Sequence, residues 1–215
     1  MVKIRVAALT KAHVEWWDGH VQPLIDADPA RPDAGWDWPK IRLKCSLSAL
    51  VGQAPVGYMI GVERPASDEL VPIAFTQIVR KYVHLADHRK KAVFLWYLST
   101  APLKELAKEG ILATDEVPKR NGVAGLDVAV TESFGIGWEG RVGTHAAPKG
   151  RASLFKWYVD QGMTPLDIVA RLPRMRNWGV FGGGNDGRYL YYDEAGAATF
   201  RTTLNVWRQR GPEAT

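Results

Sequence analysis

The residues best suited to chemistry lie at 119 to 125, where Lys119-Arg120-Asn121-Gly122-Val123-Ala124-Gly125 makes a glycine-rich turn ahead of an apolar helical pattern. Such a turn offers free backbone N–H groups at the positive end of a helix dipole, and its small residues let an anion approach. The chemistry offered is phosphate binding, and an ordinary helix start is the other reading of the same residues. Histidine is the side chain type suited to proton transfer near neutrality, which marks His145, equally readable as a hydrogen-bonded structural residue. Asp115, Glu116, Glu132 and Asp37 are carboxylates able to accept a proton, each also readable as solvated charge. No metal-ligand spacing occurs. The glycines at 182 to 184 precede a strand pattern and not a helix, so they read as a turn.

The elements that must position these residues follow from periodicity. Residues 2 to 9 alternate apolar and basic as a half-buried strand does, and Thr10 offers an N-cap for a helix from Lys11 to about Ala27. A Pro- and Asp-rich loop, 28 to 38, leads to a second helix over 39 to 50. Extended segments at 55–62, 72–79 and 92–98 read as an antiparallel meander. A weak helical pattern covers 103 to 108. A clear one runs from Gly122 to Phe134, with Val123, Leu126, Val130 and Phe134 at spacings of 3, 4 and 4. Residues 140–146 form a short strand, 150–161 a helix, and 168–181 with 187–192 a closing hairpin.

Composition bounds the partners. The chain has 215 residues, 46% of them hydrophobic, enough for one substantial core. Its net charge of +5 favours an anionic partner without naming it. The single Cys45 cannot form an internal disulfide and reads as a small core residue. No apolar run has the length of a signal peptide or membrane span, so the expectation is a cytoplasmic protein without a membrane partner. The nine tryptophans are scattered, and packing explains them better than base stacking.

The segment KRNGVA at 119–124 resembles the pyrophosphate loop of the Gcn5-related N-acetyltransferase family, Gln/Arg-x-x-Gly-x-Gly/Ala, with Lys119 at the first position. Downstream, RASLFKWYVDQGM is similar to that family's A-x-x-F-Y-x-x-x-G-F signature. The likeness covers roughly residues 92–163, and the earlier part agrees in element order only. The resemblance implies an α/β (α+β) fold: a mixed, mainly antiparallel sheet flanked by helices, in the order β-α-α-β-β-β-α-β-α-β-β. It implies one domain over 1–215, with an insertion at 103–118 relative to the family.

The resemblance also implies acetyl-CoA as cofactor and transfer of its acetyl group to a primary amine on a small molecule, peptide or aminoacyl acceptor, charged tRNA included. Backbone amides of Asn121, Gly122, Val123, Ala124 and Gly125, with Lys119 and Arg120 beside them, would cradle the pyrophosphate. The peptide groups of Leu98, Ser99 and Thr100 would pair with the pantetheine arm. Tyr158 stands where the family commonly has a proton donor to the departing thiolate, and is also readable as a packing residue. The fourth strand carries no carboxylate where many relatives have a glutamate. A CoA-binding module without transfer activity is therefore the second reading, and a nucleic-acid-binding protein the third.

Overall fold

A computed structural model describes residues 3–50, 52–63, 70–112, 121–173 and 184–210, with side chains as far as Leu204. The elements are β1 (Lys3–Ala8), α1 (Lys11–His20), α2 (Gln22–Asp26), α3 (Trp38–Ala49), β2 (Pro55–Glu63), β3 (Leu70–Val83) and β4 (Lys91–Thr100). There follow α4 (Leu103–Lys108), α5 (Asn121–Gly135), β5 (Val142–His145), a 3-10 turn (Pro148–Gly150), α6 (Arg151–Asp160), β6 (Thr164–Pro165), β7 (Tyr189–Tyr192) and α7 (Glu194–Arg210). The strands form one sheet in the order β1-β2-β3-β4-β5-β7-β6. Every pairing is antiparallel except β4 with β5.

Local chemistry sets the boundaries. Thr10 Oγ1 accepts from His13 N at 3.2 Å while His13 Nδ1 accepts from Thr10 N at 3.2 Å, a reciprocal cap that starts α1. The helix expected over 11–27 is interrupted at Val21. Pro23 has no N–H to continue the ladder, yet fits the first turn of the new helix α2. Asp37 caps α3 by accepting from Lys40 N at 2.9 Å.

The two faces of the sheet bury different helices. On one, Trp17 of α1 stacks on Phe75 of β3 with centroids 4.2 Å apart, and Trp38 meets the same ring edge-on at 5.1 Å. On the other, Ile78, Val93 and Leu95 pack with Val123, Leu126 and Val130 of α5 and with Tyr158 of α6. Leu106 and Leu112 are buried in the core shared by α1 and α3, so the start of the expected insertion is packed onto the body of the protein. Cys45 is buried, and that burial pushes its thiol up to about 12.

Two expectations fail at the C-terminal end. Residues 168–173 form no strand: Asp167 Oδ1 accepts from Val169 N at 3.1 Å, and Asn185 Nδ2 donates to the carbonyls of Asp167 and Ala170, a turn held by short polar side chains. The partners of β7 are β5 and the two-residue β6. The remainder of the expected strand, like Gly182 and Gly183, lies outside the described residues. The second correction is α7, which was not expected at all. It is capped by Asp193, whose Oδ1 accepts from Gly196 N at 2.7 Å, and it buries Ala197 and Phe200.

Candidate active site

β4 is paired with β3 as far as Thr100, and the Ala101 N–H still donates to Ile73 at 2.8 Å. Its other neighbour is much shorter: β5 pairs only with Val93, Phe94 and Leu95. Because peptide groups alternate in direction along an antiparallel strand, the bond from Ala101 means that Ser99 also points its backbone at β3. Leu98 and Thr100 therefore point theirs away from it, into the gap where β5 has ended. That gap opens into a cavity of about 1000 Å3 lined by Leu98, Thr100, Gly122, Tyr158 and His145 among others.

The first turn of α5 closes one end. Asn121 Nδ2 donates long hydrogen bonds to the carbonyls of Ile73 and Ala101 at 3.4 and 3.5 Å, pinning the helix start to the end of β4. Its Oδ1 accepts from Gly122 N at 3.1 Å, and Val123 is the next first-turn residue lining the cavity. First-turn amides have no carbonyl partner within their own helix. A Cβ on Gly122 would stand 3.3 Å from the Trp157 ring and 3.7 Å from Thr100 Cγ2, so a larger side chain here would have to displace one of them or enter the cavity. Ala124 packs against the core and Gly125 is buried. A Cβ on Gly125 would overlap Leu98 Cδ1, so this glycine permits the helix to lie close on β4. Lys119 and Arg120 lie outside the described residues.

Tyr158 and His145 both line the cavity. So does Thr144, whose Oγ1 donates to the Leu95 carbonyl at 3.2 Å, at the fork between β4 and β5. Burial pushes the Tyr158 phenol up to about 12, against the smaller opposing effect of Thr144, so it is a neutral hydroxyl at ordinary pH. His145 Nε2 lies 3.0 and 3.2 Å from the Asp186 carboxylate oxygens, and its ring packs on Tyr189 at 4.5 Å. Although burial works against it, the His145 contact holds the Asp186 carboxyl below its ordinary range.

The opposite end of the cavity is aromatic. The register of β3 and β4 slips so that Ile78 faces Leu95 while Gln77 faces Tyr97, leaving Trp96 as an extra residue. Trp36 meets Tyr97 edge-on at 5.2 Å, and Lys44 Nζ sits 5.3 Å over Trp96 and donates to Tyr97 Oη at 3.3 Å. The loop before α3 is clamped to β4. Arg31 Nε and Nη2 donate to the Asp33 carboxylate at 2.9 and 2.8 Å, Arg31 Nη2 also donates to Thr100 O at 2.6 Å, and Ser99 Oγ donates to Asp33 at 2.5 Å.

Several expected base candidates are placed elsewhere. Glu132 accepts from the Tyr58 hydroxyl and pairs with Arg80 at 2.6 Å, outside the cavity lining. Asp37 caps α3 and pairs with Lys40 at 2.7 Å, and Trp38 is fully buried, so only Trp36 of that loop's tryptophans reaches the cavity. Asp115 and Glu116 lie outside the described residues. Sequence reading did not mark Thr144, Trp157, Arg31, Asp33, Lys44, Trp96 or Tyr97, which converge from distant segments. Among the described residues no cluster of His, Cys, Asp or Glu could hold a metal, and no helix is long and apolar enough to cross a membrane.

Comparison with protein-family models returns no match. No curated protein matches in sequence. Solved structures do match in three dimensions. One, an acetyltransferase of the GNAT family from Staphylococcus aureus Mu50, superposes with a TM-score of 0.53 at 10% identity, covering 89% of this chain and 99% of that one. A chain of the KacTA–DNA complex superposes with a TM-score of 0.50 at 12% identity, covering 94% of this chain and 99% of that one. The chain thus has the fold that the sequence resemblance implied, a mixed and mostly antiparallel sheet flanked by helices.

Proposed function

We propose that this chain is an acetyl-CoA-dependent N-acetyltransferase acting on a primary amine of a small-molecule, peptide or aminoacyl acceptor. One observation carries the reading. Where β4 outruns β5, the outward-facing peptide groups of Leu98 and Thr100, the first turn of α5 and the neutral hydroxyl of Tyr158 all border a single cavity. In this reading residues 1–215 act as one acyltransferase domain, with 103–118 inserted. A cytoplasmic setting belongs to the same proposal, because the acetyl donor is an intracellular metabolite.

The residues present fit the cofactor. Gly122 puts no side chain between the cavity and the start of α5, and Val123 offers its amide at the positive end of α5 for the pyrophosphate. Lys119, Arg120, Asn121, Ala124 and Gly125 complete the loop in this assignment. The free edge of β4 supplies the peptide N–H and C=O groups of Leu98 to an extended amide-bearing arm, and Ser99 shapes the strand from its other side. Bound there, acetyl-CoA supplies an activated acetyl thioester.

The chain's own residues then handle protons. An acceptor ammonium must lose a proton before its lone pair attacks the thioester carbonyl. His145, with its Nε2–H donated to Asp186, keeps a lone pair on Nδ1 to take that proton. Tyr158 would donate its hydroxyl proton to the departing sulfur and recover one from the attacking nitrogen as that nitrogen becomes an amide, so the C–N bond forms, the C–S bond breaks, the thiol leaves neutral and the one net proton rests on His145.

The test is thiol release from acetyl-CoA across a panel of amines, run alongside a thermal melt. Acetyl-CoA should raise the melting temperature by mass action, and Gly122→Glu should abolish that shift. A shift without thiol release for any amine would mark a CoA-binding module. No shift at all, in a folded protein, would overturn the site.

A further inference from the structure

The charges around the aromatic end of the cavity are not balanced. Arg31 and Asp33 neutralise each other at 2.8 Å, and Asp160 is paired with Lys156 at 2.6 Å. His145 faces Asp186. Lys44 is different: its ammonium rests over the Trp96 ring and on the Tyr97 hydroxyl, and among the described residues no carboxylate lies within ion-pair distance of it. This exposed cation lies against two rings that the β4 bulge puts on one face.

We propose that the acceptor is an amine carrying an anionic group, a carboxylate or a phosphate, beside a flat or apolar body, and that Lys44 is the residue that selects it. The proposal rests on the transferase reading above. A second positive charge on the acceptor would meet Lys44 and, among the described residues lining the cavity, find no unpaired carboxylate to receive it, and the Trp96 face that would attract a cation is already taken by Lys44 itself. An anion gains a charge-assisted bond there while Trp36 and Tyr97 cover an apolar body. The amine is left to face His145 and the fork of the sheet.

Matched acceptors test this in the intact protein. Tryptophan is compared with tryptamine, and O-phosphoethanolamine with ethanolamine, by thiol release. The anionic member of at least one pair should be favoured in kcat/KM by roughly tenfold, carried in KM. The pair that responds distinguishes carboxylate from phosphate. Lys44→Met should erase the preference and Lys44→Arg should keep it, with the acetyl-CoA melting shift unchanged in both. Equal or reversed preference in both pairs overturns the proposal, as does a preference that survives in Lys44→Met. If no amine releases thiol, the transferase reading fails separately, and calorimetry decides this one. N-acetyltryptophan and N-acetyl-O-phosphoethanolamine are titrated against N-acetyltryptamine and N-acetylethanolamine. Tighter binding of an anion that is lost in Lys44→Met sustains the anion site, and its absence overturns it.

Discussion

Trp96 and Tyr97 are neighbours in sequence yet stack on the same side of β4, with ring centroids 5.4 Å apart and planes 28° from parallel. Regular pleating would send them to opposite faces, and the bulge reconciles the two. It also makes the platform for Lys44. Replacing Trp96 by Leu should therefore raise KM for an accepted amine several-fold to about tenfold, by loss of the aromatic wall, while the acetyl-CoA melting shift persists. Loss of the shift together with retained acceptor KM would reverse that assignment.

Tyr158→Phe keeps the ring and removes one proton. Turnover should fall by a factor on the order of 10², with cofactor affinity nearly constant. Since burial holds the phenol near 12, the parent rate should show no descending limb from this group below about pH 10. The raised folded-state value also fixes the stability trend. The contribution is whole below the ordinary value of 10.0 and is lost as pH climbs toward 12, so melts should show alkaline destabilisation in that window, diminished in the Phe variant. Parent-like turnover of a folded Phe variant would assign Tyr158 to packing alone.

Gly125→Ala places a methyl group against Leu98 Cδ1. Overpacking of this kind costs about 1–3 kcal/mol. Combining it with Leu98→Ala should recover part of the loss, giving a non-additive cycle in denaturant titrations. Strict additivity would mean that the two positions do not press on each other.

Asp33 is buried and joins Arg31 and Ser99. Asp33→Ala strands the guanidinium at the edge of the cavity and should destabilise by about 3 kcal/mol. It also frees the loop carrying Trp36, so acceptor KM should rise in the same variant. An unchanged chemical-denaturation midpoint would show the clamp to be energetically idle.

Glu194 starts α7 and accepts from Lys90 Nζ and Arg141 Nη1, both at 2.6 Å. The Lys90 contact first, and Arg141 with it, hold its carboxyl at about 2, below the ordinary 4.5. A depressed folded-state value gives stability that is complete above 4.5 and lost as pH falls toward 2. Melting temperature should drop through that window in the parent. Glu194→Gln should flatten the acid dependence and melt lower at neutral pH, and an identical acid profile in the variant would rule out this contact as its source.

Local signals carried most of the fold. Thr10, the alternation of β1 and the 3-4-4 spacing of α5 each depend on near neighbours, so they are readable in sequence. The helix α7 had a signal too: Asp193 as cap, then Ala197, Phe200 and Leu204 at spacings of 3 and 4. Pro23 marked the break in the first helical run. The β4 bulge had none, because Phe94-Leu95-Trp96-Tyr97-Leu98 is apolar throughout and only pairing with β3 reveals the slip. The clamp likewise joins residues 66 and 69 positions apart, a distance over which composition conveys nothing. Tyr158 and His145 were legible as chemical groups. Their meeting at one cavity was not, since it depends on where β5 stops.

That stopping point has a mechanical side. The ladder between β4 and β5 runs over only three residue pairs, the fewest of any junction in the sheet except the two-residue β6. Backbone pairing is therefore sparse along the line where the cavity opens. Prying apart the halves β1–β4 and β5–β7 breaks fewer interstrand bonds than separating β2 from β3 or β3 from β4. Across this seam the side chains do more of the joining than the backbone: Val93 and Leu95 of β4, Val142 of β5 and Leu190 of β7 share one core with α5.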